Sequence, residues 1–247
     1  MVGSVEDDTM MRHPQAFKPS ATILLLAALV VVPAATSGVA LSQAPTVVTG
    51  DFDGCPVTGS GGDPALNSQK NRSAAPEQTS PTTIAQMTQL TPVPDSDGKT
   101  RSDWPADVQN SINNQERQGA VLTGYVVKAI AEGPESCNCE SAAANDHDVH
   151  IYVGNDPDAT AGGSVIVEVT PRWRAVNPSW NAQNLKALAE SGIEVRFTGW
   201  MMYDQEHWDM IDKNQRATLF EIHPVTGIQV QTPGGWVNLA DYQFPTQ

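Results

Sequence analysis

Two histidines and a glutamate carry the first candidate chemistry in this sequence: His150, Glu168 and His223, with Glu221 two residues before the last. Each lies in a stretch of alternating or β-branched character, so each would project from a strand. Imidazole and carboxylate groups held on a rigid sheet can ligate a divalent metal. A metal so held could activate water for hydrolysis of a phosphodiester, with Arg172 on the phosphate. His147 adds an H-x-x-H spacing, but residues three apart on a strand face opposite sides, so His147 and His150 cannot both chelate inward. The plainer account is a set of polar side chains hydrogen-bonded on the outward face of a sheet.

A second constellation is Arg172-Trp173-Arg174. A guanidinium beside an indole can stack on a base or sugar, or clamp a carboxylate; it can equally form a salt bridge beside a packed ring. Trp208 stands in the acid-rich loop 204–212, where an exposed indole would mark a contact surface. That loop lacks the Asp-x-Asp-x-Asp-Gly order of an EF-hand. Lys70 and Arg72 form another close basic pair, suited to docking a chain segment on an acidic surface. No residues make a catalytic set: G-x-S-x-G, P-loop and dinucleotide fingerprints are absent from the sequence.

Five stretches have the patterning needed to position these groups: 120–131, 147–153, 164–170, 193–201 and 218–230. A helix is expected over 103–118, with Asp103 as cap, Pro105 in the first turn and Gly119 as stop. A second is expected over 181–191, where Leu185, Leu188 and Ala189 share a face and Gly192 ends the run. The expected fold is therefore mainly β with two helices. The order strand, strand, strand, helix, strand, strand is that of the five-stranded Greek-key barrel of the oligonucleotide/oligosaccharide-binding (OB) type. Gly124 and Gly199 fall inside strands, where a coiled barrel needs a bend. In such a barrel Glu168 neighbours His150, and His223 lies farther round.

The blocks Gly59-Ser60-Gly61-Gly62-Asp63-Pro64-Ala65-Leu66-Asn67 with Lys70-Asn71-Arg72, Val169-Thr170-Pro171-Arg172 and Glu221-Ile222-His223-Pro224-Val225 resemble a group of bacterial exported OB-fold-like proteins without an established activity. The resemblance runs over roughly 51–230. It implies the barrel and an envelope or extracellular setting, and it brings no catalytic residues.

The N-terminus reads as an export signal. Arg12 and Lys18 precede an apolar run over 21–32, followed by Pro33 and small residues. Cleavage after Ala40 or Ala44, or retention as an anchor, both send the remaining chain outward. Residues 1–44 are thus a signal peptide or membrane anchor, 45–102 a loop-rich arm, 103–232 the barrel domain and 233–247 a tail. Outside the cytoplasm disulfides persist. Of Cys55, Cys137 and Cys139 one bridge is expected, its pairing open, with one thiol left over.

Charge narrows the partners. The chain carries a formal −14, and residues 119–232 hold seven Lys/Arg against fifteen Asp/Glu. Nucleic-acid binders draw affinity from neutralising phosphates, so net acidity disfavours that ligand, and membrane contact is left to the N-terminal segment. The expected function is an exported binding or interaction module for a protein, peptide or glycan, not an enzyme, contacting its ligand through the strand face and the 204–216 loop. The alternatives are a metal-assisted hydrolase using His150, Glu168 and His223, with a divalent metal as the one candidate cofactor, or a single-stranded nucleic-acid binder.

Overall fold

The computed structural model describes Phe52 and residues 54–90 and 100–245; residues 1–44, read above as a signal peptide or membrane anchor, lie outside them. Along the chain run α1 (Pro64–Lys70), β1 (Thr79–Thr82), α2 (Ile84–Thr88), α3 (Ala106–Glu116), β2 (Gly119–Ala131), β3 (Val149–Gly154), β4 (Val165–Val169), α4 (Pro171–Val176), α5 (Ala182–Ser191), β5 (Glu194–Tyr203), α6 (Asp209–Asp212), β6 (Phe220–Thr232) and β7 (Gly235–Asn238). Among the described residues no helix is long and apolar enough to cross a membrane.

Strands β2 to β6 close a five-stranded barrel in the order β2-β3-β4-β6-β5, with β5 pairing back onto β2. All these contacts are antiparallel except β4 with β6. Alternation in the sequence builds the interior: Val149, Ile151, Val153, Val165, Val167, Val169, Phe197 and Ile222 belong to one continuous core. Burying each such side chain stabilises the fold by about 1.5–3 kcal/mol. The residues between them, Asp148, His150 and Glu168, then face outward. Gly199 sits at a break in the β5–β6 register; a Cβ there would collide with the Pro224 carbonyl oxygen and stand 2.6 Å from Ile222 Cγ2. Close approach of two backbones requires glycine at that bend.

The expectation of two helices is corrected: the described residues form six α-helices. The additional four span four to seven residues each, too short for a helical period to register. Within the expected loop-rich arm, the described residues carry the short elements α1, β1 and α2. Asp63 caps α1 by accepting from Ala65 N (2.9 Å) and Leu66 N (3.4 Å), with Pro64 in the first turn. β1 adds a parallel edge strand beside β2, and Leu66 and Met87 are fully buried. Within the expected tail, β7 forms a hairpin with β6.

Candidate functional site

Register assembles the site. His150 stands directly opposite Glu168 on β3 and β4, and the parallel pairing of Val167 with Ile222 sets Glu168 beside His223 on β6. Asp148, two residues before His150, shares its face. These side chains point away from the barrel interior, yet none is more than 3 % exposed. The arm covers them: Lys70 at the end of α1 reaches Glu135 at 3.2 Å and Glu206 at 3.3 Å, bridging the loops that follow β2 and β5.

Three of the residues converge. Asp148, Glu168 and His223 each offer a ligating atom within 4.8 Å of the other two. His223 Nε2 lies 3.4 Å from Asp148 Oδ2, and His223 Nδ1 lies 3.2 Å from Glu168 Oε2. His150 Nε2 contacts Glu168 Oε1, and His150 Nδ1 is 2.9 Å from Glu132 Oε1. The expected trio of His150, Glu168 and His223 is thus reshaped, with Asp148 in the convergent set and His150 behind Glu168. The signal for Asp148 was available in the sequence, since Asp148 and His150 are two apart on one strand.

Two of the convergent residues, Asp148 and His223, are also held from their far sides. Asn138 donates to Asp148 Oδ1 at 3.0 Å, His223 Nδ1 pairs with Glu221 Oε1 at 3.1 Å, and Arg216 donates to Glu221 Oε2 at 2.7 Å. Asp148 Oδ2, both Glu168 oxygens, His150 Nε2 and His223 Nε2 are buried without an aligned hydrogen bond. They are close in distance but not in hydrogen-bonding direction, which sets them apart from an ordinary satisfied polar cluster.

Electrostatics match the geometry. Burial opposes charge on His223, but Glu168, then the nearby Asp148 and Glu221 carboxylates, outweigh it and push its pKa up to about 10. Burial opposes charge on His150 too, and Glu168 and Glu132 carry its pKa well above the usual imidazole value. Glu168 is held well below the carboxylate range, against its burial, by His150 and His223. In this layer four fully buried carboxylates, Asp148, Glu168, Asp204 and Glu221, face two buried fixed cations, Lys70 and Arg216.

The other sequence candidates have different places. Arg172 is buried and donates to Asn71 Oδ1 (3.0 Å), Cys55 O (2.8 Å) and Pro56 O (3.1 Å). Trp173 packs in the core and donates from Nε1 to Arg72 O at 3.0 Å. Both fasten the arm instead of presenting a stacking surface. Arg174 donates to the carbonyls of Val169, Asn145 and His147. Trp208 is 43 % exposed at the head of α6. Cys55 bonds to Cys139 across 84 residues, and Cys137 is free and buried.

Arg101 and Glu116, which the sequence did not announce, form a buried ion pair, and Trp200, one of two rings (with Tyr203) that could offer a sugar a stacking platform, lies against the arm. Arg101 donates to both Glu116 oxygens at 2.6 and 2.7 Å and to Tyr203 O at 2.6 Å. Trp200 is half-buried, with its Nε1 donating to Ala74 O at 2.7 Å and the Arg72 guanidinium 4.9 Å from the ring centroid. Cavities of about 370 and 330 Å³ meet at Trp200 and Ala74. Neither is lined by a member of the His/carboxylate layer. No protein-family model matches the chain, and no curated protein or solved structure matches it.

Proposed function

We propose that the chain is an exported OB-type binding module of the cell envelope or extracellular space that takes a glycan in the groove beside Trp200. The OB assignment is supported by the barrel order β2-β3-β4-β6-β5 with a helix, α5, between β4 and β5 in the chain. Export is supported by the n-region and apolar run and by the Cys55–Cys139 bond. The observation that carries the ligand reading is the fixed indole: a ring pinned at its N–H, backed on one face by a cation and bordering two open depressions. A ring held in advance loses little entropy when a sugar stacks on it. The strand face expected to bind ligand, by contrast, is covered by the chain's own arm.

The hydrolase alternative is favoured by the convergence of Asp148, Glu168 and His223, but a phosphodiester cannot reach groups that are at most 1 % exposed. A glycan array followed by calorimetry tests the reading. Wild type should bind at least one oligosaccharide class, and Trp200→Ala should weaken it by about fivefold or more, as loss of one stacking platform worth about 1–3 kcal/mol requires. Binding that survives Trp200→Ala unchanged, or no glycan binding at all, refutes it.

A further inference from the structure

We propose that Asp148, Glu168 and His223 form a buried site for one divalent transition-metal ion, of the zinc class, on the outer face of the barrel beneath the arm. The case rests on geometry. Asp148 Oδ2, Glu168 Oε2 and His223 Nε2 are buried atoms without an aligned hydrogen bond, on residues that converge within 4.8 Å. Metal bonds of about 2.1 Å at tetrahedral angles set ligand atoms about 3.4 Å apart, the separation of His223 Nε2 and Asp148 Oδ2.

The far side of each ligand is then explained. Ligating histidines commonly give the second ring nitrogen to a carboxylate, and ligating carboxylates are themselves held in place. Glu221 does this for His223 and Asn138 for Asp148, and His150 stands against the other oxygen of Glu168. Imidazole among the ligands favours zinc or a neighbouring transition metal over calcium or magnesium, which prefer oxygen. Burial of all three ligands describes a site that holds the arm-covered face together, not one that turns over substrate.

The site is sealed, so the full mature chain is refolded in the presence of zinc, manganese, calcium or magnesium, desalted and analysed for elements. Wild type should retain about one equivalent of zinc, and Asp148→Asn and Glu168→Gln, with native circular dichroism, should lose about 100-fold or more in affinity; Glu221→Gln should lose about 10–100-fold. Cobalt offered in place of zinc should give the visible absorption of a low-coordinate His/carboxylate site in wild type, which keeps the test decisive even if a ligand variant does not fold. Absence of any retained metal and of the cobalt bands overturns the proposal. So does zinc retained equally by folded Asp148→Asn and Glu168→Gln, which would place the ion elsewhere.

Discussion

Replacing both Cys55 and Cys139 by alanine removes the one covalent tie between the arm and the barrel's first loop. The bond closes a loop with a sequence separation of 84. Loop-closure entropy of −2.1 − 1.5R ln n cal/mol/K then gives about 4.5 kcal/mol at 25 °C for the constraint it places on the unfolded chain. Residual structure in the denatured state reduces that figure, so a loss of about 2–4 kcal/mol is expected. The folded arm should stay docked, because Arg172 still holds Asn71, Cys55 O and Pro56 O, and Trp173 still holds Arg72 O. Cys137 would be the remaining cysteine, so no alternative bridge can form within one chain. The assay is equilibrium urea unfolding followed by tryptophan fluorescence, comparing midpoint and slope. A loss below about 1 kcal/mol would show that the bond does not constrain the unfolded chain as this loop length demands.

Glu116→Gln should destabilise by about 3–5 kcal/mol in calorimetric melting, because it leaves the buried Arg101 guanidinium facing a neutral amide; a change under about 1 kcal/mol contradicts a structural role for the pair. Acid should weaken the fold in a direction set by Asp63. Burial opposes its charge, but hydrogen bonds from Arg101 N, Ala65 N and Gln205 lower its pKa below the ordinary value. A folded pKa below the unfolded one means stability fully present above about pH 4 and lost as pH falls through the folded value. Unfolding midpoints measured from pH 5 down to pH 2 should fall, and Asp63→Asn, which keeps the helix cap, should flatten the fall; an unchanged slope in that variant refutes the assignment.

The barrel strands were legible because their interior is built from residues alternating with polar ones, a period that survives without any tertiary knowledge. Stretches read at 120–131 and 193–201 form β2 (Gly119–Ala131) and β5 (Glu194–Tyr203). The His/carboxylate face was legible in part for the same reason, since His150 and Glu168 sit on facing strands. Its burial was not, because burial depends on the arm folding back across the face. The Gly-Ser-Gly-Gly run read simply as turn. Its Gly59 has a φ of +63°, and a Cβ there would collide with Ser136 O and stand 2.9 Å from Cys137 Cα. The glycine serves a contact 77 residues away in sequence, which no local pattern encodes. Arg101 with Glu116 escaped notice likewise, being ordinary charges on either side of a helix until packing brings them together.

Acidity, the strongest exclusion available from composition, needs correcting for burial before it bears on a ligand. Of the fifteen acids in residues 119–232, Asp148, Glu168, Asp204 and Glu221 are fully buried. Of the seven bases, Arg172 and Arg216 are buried as well. Eleven acids against five bases still face or approach solvent, so the outer field stays negative by about six charges instead of eight. The arm supplies cations where the acids are densest: Lys70 goes to Glu135 and Glu206. What Lys70 neutralises there is the barrel's own face. A ligand that meets this surface without repulsion carries little negative charge of its own. An uncharged glycan on Trp200 satisfies that condition, and its affinity should change little between low and physiological salt, whereas a nucleic acid would lose affinity steeply.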